Sequence, residues 1–127
     1  MLTTPQPLLY SVDLGGCEKL GSITCDELAA IFRTALERAG AHVVQAVFHV
    51  YPGQGLTAVL ILSESHAVLH SWPETGTANI DIFSCSRSLD GQAAISELSR
   101  RLGAQTVAIQ EIPRADGHRT ELEPRGD

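Results

Sequence analysis

The order of apolar and polar residues switches along the chain between the two-residue period of a half-buried strand and the three- and four-residue spacing of an amphipathic helix. Leu8 to Leu14 mixes β-forming residues with partial alternation and stops at Gly15-Gly16, predicting a strand closed by a turn. Thr24-Cys25-Asp26-Glu27 fits a capping box, and Leu28, Ile31, Phe32, Ala35 and Ala39 follow at helical spacing up to Gly40. Arg33, Glu37 and Arg38 form the solvated side of that helix. His42 to Tyr51 is rich in valine and ends at Pro52-Gly53-Gln54-Gly55, from which a second strand, Leu56 to Leu62, returns. That second strand is almost wholly apolar, as expected if both faces are buried, or one face and a subunit contact. Ala67 to Ser71 reads as a strand, Pro73-Glu74-Thr75-Gly76 as a turn, and Ala78 to Cys85 as another strand. Asp90 caps a second helix lined by Ala94, Ile95, Leu98 and Leu102 and stopped at Gly103, and Thr106 to Ile112 is the last strand.

The order is β-α-β-β followed by β-β-α-β, joined mostly by hairpins. It predicts an α+β fold: a two-layer α/β sandwich with a mainly antiparallel sheet and two helices on one face. The 127 residues make one domain, with residues 1–7 an irregular lead and 114–127 a flexible tail.

Composition narrows the function classes. A net charge of −6 argues against a surface that tracks nucleic-acid phosphates, while an acidic protein tolerates a cationic small substrate. Cys17, Cys25 and Cys85 form no CxxC pair, and an odd count without a signal-peptide pattern predicts free thiols in the cytoplasm, with Cys17 a small buried thiol. No run of eighteen apolar residues suggests a membrane span, and no metal-ligand set is expected.

The candidate chemistry is concentrated in Ser63-Glu64-Ser65-His66-Ala67-Val68-Leu69-His70-Ser71-Trp72-Pro73-Glu74, where an apolar strand breaks into serines, an acid, two histidines and the only tryptophan. If the Glu64–Ser65 bond cleaves itself, the means are adjacent: the Ser65 hydroxyl, the Glu64 carbonyl and the His70 imidazole. Taken singly, each of these residues has a plainer role as a turn hydroxyl, a surface histidine or a core thiol. His66 is expected to be structural. Ser65 and His70 differ by an odd number, which in an unbroken strand puts them on opposite faces, so a bend or bulge is expected near Ser65.

The segments ESHAVLHSWPE and NIDIFSC resemble the core of the bacterial and archaeal S-adenosylmethionine decarboxylase proenzymes, with His70 five and Cys85 twenty residues after Ser65 as in that family. The resemblance extends more weakly from Leu8 to about Pro113. It implies that the Ser65 hydroxyl attacks the Glu64 carbonyl to give an ester, and that His70 removes the Ser65 α-proton. Cleavage then leaves a β chain of residues 1–64 and an α chain of 65–127 that begins with a pyruvoyl group made from Ser65. It implies further that this group forms a Schiff base with the substrate amine, with Cys85 as proton donor to the product and Thr57 assisting processing. Tyr51 stands where the family has an aromatic residue, usually phenylalanine, that stacks on adenine, with His70 on the other side. Glu74 matches a carboxylate that grips the ribose hydroxyls. A second copy helps to complete the active site in the family, so a homodimer of processed αβ units is implied.

The residues themselves agree with a pyruvoyl enzyme. Decarboxylating an amino acid needs an electron sink, and the single lysine, Lys19, lies in no phosphate-cradling context that suits pyridoxal phosphate. The chain departs from the family in three places: it lacks the Gly-x-His-Leu lead, Thr75 and Thr77 replace two tyrosines, and Ser86 follows the cysteine in place of glycine. The expected activity is decarboxylation of S-adenosylmethionine, supplying the aminopropyl donor for polyamine synthesis. The alternatives are a pyruvoyl decarboxylase of arginine or ornithine, or a non-catalytic regulatory paralogue.

Overall fold

A computed structural model describes residues 7–85 and 88–115. Among these residues six strands and two helices run in the order β1 (Leu8–Gly15), α1 (Cys25–Arg38), β2 (Val43–Val50), β3 (Leu56–Leu62), β4 (His66–Trp72), β5 (Thr77–Ser84), α2 (Gly91–Leu102) and β6 (Thr106–Pro113). The strands form one sheet in the order β2-β3-β4-β5-β1-β6, and every neighbouring pair is antiparallel. Three hairpins build β2 to β5, and the two helices carry the chain from β1 to β2 and from β5 to β6. The α+β sandwich expected from the sequence is the fold observed. The predicted last strand ended at Ile112; the pairing runs to Pro113, and the Arg114 N–H donates to the Pro7 carbonyl. The rest of the expected tail, 116–127, lies outside the described residues.

The helices form where the sequence places their caps. At α1 the Thr24 hydroxyl accepts from the Glu27 N–H and the Glu27 carboxylate accepts from the Thr24 N–H, the reciprocal pair of a capping box worth about 1 kcal/mol. These bonds favour the charged carboxylate and hold the Glu27 pKa below its ordinary value. At α2 the Asp90 carboxylate accepts from the Ala93 N–H, and Gly103 closes the helix in the left-handed conformation. Gly40 is also required by its backbone, with φ of 105°, and a Cβ there would run into the Ser88 carbonyl.

Strict alternation then decides which sheet face is covered. Tyr10, Val12 and Leu14 of β1, Leu56, Ala58 and Leu60 of β3, Ala67 and Leu69 of β4, and Ala78, Ile80 and Ile82 of β5 are buried. They pack in one core with Leu28, Phe32, Ala35 and Leu36 of α1 and Ala94, Ile95, Leu98 and Leu102 of α2. Each fully buried valine, leucine, isoleucine or phenylalanine in this layer contributes about 1.5–3 kcal/mol. Cys17 belongs to the same core, and burial pushes its thiol pKa up.

Among the described residues nothing forms a second layer on the opposite face. That face presents Val47, Val59, Ile61, Val68, Phe83, Leu9 and Ile112 together with Thr57, His66, His70, Trp72, Asn79, Asp81, Ser11 and Asp13. Among these, Val47 is 50% exposed and Ile61 41%, so the face is open and partly apolar. Every residue of the candidate chemistry lies on this face or at its rim.

Candidate active site

The bend expected near Ser65 is a tight hairpin corner. The Leu62 N–H donates to the Ser65 carbonyl at 3.0 Å, with Ser63 and Glu64 at the tip, and the Ser63 N–H is held by the His42 carbonyl. The register pairing His66 with Phe83 carries Glu64 opposite Cys85, which sits just past the end of β5 and not inside it as expected. The Cys85 N–H donates to Ser65 Oγ at 3.2 Å, Cys85 Sγ lies 3.6 Å from Ser65 Oγ, and the thiol donates to the Glu64 carbonyl oxygen. The twenty-residue spacing of Ser65 and Cys85 is therefore one strand, one turn and a second strand that returns to its starting level.

A second cluster occupies the far end of the same strands. Thr57 and His70 are direct cross-strand partners, with Thr57 Oγ1 2.7 Å from His70 Nδ1. The Tyr51 hydroxyl lies 3.0 Å from Thr57 Oγ1. The rings of Tyr51 and Trp72 flank His70 with centroids 5.4 and 4.4 Å away. Tyr51, Pro52, Gly55, His70, Trp72 and Glu74 line a cavity of about 250 Å³ at this end. Glu74 is exposed at its rim, in the turn between β4 and β5. A larger depression of about 700 Å³ between α2 and β6 holds none of these residues.

Ser65 and His70 were expected to meet within one chain, and they do not. β4 pairs without interruption from His66 to Trp72 on one or both sides, so five residues of extended chain separate the two groups by about 16 Å. The hairpin corner turns the chain from β3 into β4 without folding Ser65 back toward His70. The arrangement is two half-sites, one with the nucleophile, its carbonyl and the thiol, the other with the imidazole, Thr57 and the cavity. His66 stands between them, exposed and stacked on Phe83 at 5.3 Å.

Two residues of the second half-site were missed from the sequence. The Trp72 indole N–H donates to Asn79 Oδ1 at 2.6 Å, and Asn79 Nδ2 donates to Asp13 Oδ1 at 2.7 Å. Their signal was the open-face parity of β5 and β1, which becomes informative only once the register pairs Asn79 with both His70 and Asp13.

The fold and the paired half-sites define a small α+β protein built around a serine hairpin corner and an aromatic-lined histidine. The S-adenosylmethionine decarboxylase family model matches residues 9–115, which is most of the chain. The chain is 37% identical over 105 residues to the S-adenosylmethionine decarboxylase proenzyme of Shouchella clausii, covering 83% of this chain and 81% of that one. It is 36% identical over 107 residues to S-adenosylmethionine decarboxylase proenzyme 2 of Halalkalibacterium halodurans, covering 83% of each. The crystal structure of the adenosylmethionine decarboxylase from Aquifex aeolicus superposes with a TM-score of 0.78 at 20% identity, over 95% of this chain and all of that one, a likeness of fold. The chain belongs to the S-adenosylmethionine decarboxylase family.

Proposed function

We propose that the chain cleaves itself between Glu64 and Ser65 and then decarboxylates S-adenosylmethionine through a pyruvoyl group derived from Ser65. The observation that carries this is the hairpin corner, where a hydroxyl, the carbonyl before it and a thiol lie within hydrogen-bond reach, in a chain of this family. The hydroxyl and the carbonyl are what the first step of making such a cofactor requires, and the thiol adds a hydrogen-bond donor to that carbonyl. The Cys85 N–H orients Ser65 Oγ, and the Cys85 thiol polarises the Glu64 carbonyl that Oγ attacks. The C–N bond breaks as the C–O bond forms, and the proton lost from Oγ ends on the released Ser65 amine. Removal of the Ser65 α-proton then expels the Glu64 carboxylate, and hydrolysis by solvent water releases ammonia. The pyruvoyl group supplies the electron sink that decarboxylation needs. Cys85, held at the same corner, then returns a proton to the product carbon.

His70 takes the α-proton in this scheme, yet within one chain it stands about 16 Å from Ser65. A two-fold pairing of open faces removes the difficulty, because it lays the His70 end of one sheet over the Ser65 end of the other. The uncovered apolar residues Val47, Val59, Ile61, Val68 and Phe83 support that pairing, since an interface core of this kind gains from excluding water. The active unit is then a homodimer with two sites, each built from both copies.

The cavity supports the substrate. Tyr51, His70 and Trp72 offer flat faces to a purine ring and π-electrons to a sulfonium, and the Glu74 carboxylate accepts two hydrogen bonds from a diol. Free thiols at Cys17, Cys25 and Cys85 suit the cytoplasm, where the product serves as aminopropyl donor in polyamine synthesis. Among the described residues no helix is long and apolar enough to cross a membrane.

The test is release of CO₂ from carboxyl-labelled S-adenosylmethionine, arginine, ornithine and lysine, side by side on protein that has separated into fragments of residues 1–64 and 65–127. Turnover of S-adenosylmethionine alone is expected. Turnover of arginine or ornithine alone would overturn the substrate, and an intact chain with an unmodified Ser65 would overturn the mechanism.

A further inference from the structure

We propose that the Tyr51 hydroxyl, acting through Thr57, sets the tautomer of His70 and so positions the proton acceptor of self-cleavage. The inference rests on the role given to His70 above. It adds a function to Tyr51 that a stacking platform does not need and that phenylalanine cannot supply.

Tyr51 OH, Thr57 Oγ1 and His70 Nδ1 form a chain with separations of 3.0 and 2.7 Å. Each hydroxyl has one hydrogen, and a neutral imidazole has one N–H. The chain therefore has two self-consistent polarities. In one, Tyr51 donates to Thr57 and Thr57 donates to Nδ1, which forces the imidazole hydrogen onto Nε2 and leaves no basic nitrogen on the open side. In the other, Nδ1–H donates to Thr57 Oγ1 and the Thr57 hydrogen goes to the Tyr51 oxygen, so the Nε2 lone pair is free.

Only the second polarity yields a base. It requires an acceptor for the Thr57 hydrogen other than His70, and among the described residues the phenol oxygen is the side-chain atom placed to be one. It also requires that the Tyr51 hydrogen have somewhere to go, and at 38% exposed the residue reaches solvent. The ring is fixed in place by its turn, since the Tyr51 N–H donates to the Gly55 carbonyl at 2.8 Å and the Gln54 N–H to the Tyr51 carbonyl at 3.0 Å. The His49 ring packs edge-on against it at 4.5 Å. Removing the phenol oxygen leaves Nδ1 as the side-chain acceptor beside the Thr57 hydroxyl, and the balance moves to the inactive tautomer.

The experiment separates this from the function it rests on. In a Ser65→Ala chain, where cleavage cannot begin, long-range ¹H–¹⁵N correlations on histidine-labelled protein report the His70 tautomer. The expected result is Nδ1–H, changing to Nε2–H in the Tyr51→Phe, Ser65→Ala double variant. In the otherwise unaltered chain, Tyr51→Phe is expected to slow fragment formation about ten-fold, part of the roughly 10²–10⁴ that general-base catalysis supplies, and to accumulate a hydroxylamine-labile ester. Tyr51→Leu, which removes the ring as well as the hydroxyl, should raise KM more than Tyr51→Phe does. An unchanged tautomer, or a Tyr51→Phe cleavage rate equal to the parent's, overturns the proposal. Should the parent itself fail to cleave, the function falls, and the tautomer measurement still decides the inference.

Discussion

Cys85 faces Glu64 across the level at which β4 begins and β5 ends, its backbone N–H on Ser65 Oγ and its thiol on the Glu64 carbonyl. One residue thus touches the Ser65 hydroxyl and the oxygen of the carbonyl before it. Cys85→Ala should therefore slow self-cleavage without abolishing it, since the backbone N–H survives while one oxyanion donor is lost. A single such donor is worth up to roughly 10²–10³ in rate. Cys85→Ser should restore part of the cleavage rate, and Ser65→Ala should give none. Densitometry of the two fragments over time distinguishes the three, and a Cys85→Ala chain that cleaves at the parent rate would show the thiol contact to be incidental.

Trp72 is the sole tryptophan, and its indole N–H is bound to Asn79, which is in turn held by Asp13. Asn79→Ala should free the indole, shifting its emission, and loosen the side of the cavity that packs on His70. The expected kinetic result is a several-fold rise in KM with a smaller change in kcat, because losing one hydrogen bond to a charged or polar partner costs about 1 kcal/mol. Asp13→Asn retains an oxygen acceptor and should shift the emission less. Unaltered emission in Asn79→Ala would show that packing alone orients the ring.

Much of this architecture could be read in advance, and the reason differs from part to part. The capping box at Thr24 and the glycine at Gly103 are local signals, so the helix limits followed from neighbouring residues. The strands followed from β-branched content and from the turns at Pro52 and Pro73. Ser65, His70 and Cys85 stood out as candidates because their spacing is specific, but their separation into two half-sites could not be read from it. That separation depends on whether the break at Ser63–Ser65 folds back on β4 or opens away from it, and sequence parity is silent on the choice. Asn79 and Asp13 escaped for a related reason, since a register places them and periodicity within one strand does not.

Gly40 offers a test of the scaffold apart from the chemistry. Its φ of 105° is costly for any residue with a Cβ, and that atom would collide with the Ser88 carbonyl beside the cap of α2. Gly40→Ala should lower stability by about 2–4 kcal/mol, and thermal unfolding should begin roughly ten degrees earlier. Gly53 also has positive φ, at 89°, but open space around it, so Gly53→Ala should cost about 1 kcal/mol. Equal melting temperatures for the two variants would refute the close approach at Gly40.

Glu97 gathers three arginines, and it predicts a pH dependence. The hydrogen bond from Arg100, with the nearby charges of Arg38 and Arg101, holds its pKa below the ordinary carboxylate value. Because the folded pKa is the depressed one, the contribution to stability is complete above the unfolded value and disappears as pH falls through the folded value. Glu97→Gln should thus melt below the parent near neutrality and converge with it in acid, and added salt should shrink the gap because these ion pairs lie near the surface. A gap that is constant across that pH range would assign the effect to packing.

The separation of Ser65 from His70 gives the most direct test of the assembly. A Ser65→Ala chain has the histidine half-site without the nucleophile, and a His70→Ala chain has the nucleophile half-site without the histidine. Each alone should fail to form the pyruvoyl terminus, His70→Ala stalling at an ester that hydroxylamine cuts. Co-expressed with distinguishable tags, the two should form mixed dimers in which one of the two sites has an intact Ser65 from the His70→Ala chain and an intact His70 from the Ser65→Ala chain. The His70→Ala chain should then be cleaved while the Ser65→Ala chain stays whole, and the cleaved fraction should follow the fraction of mixed dimer measured by tandem affinity capture. A cis mechanism would require the chain to move five residues of β4 so that Ser65 reaches its own His70, and it predicts no cleavage in any mixture. Isolated mixed dimers with neither chain cut would return both half-sites to a single copy and leave the open sheet face without the role assigned to it.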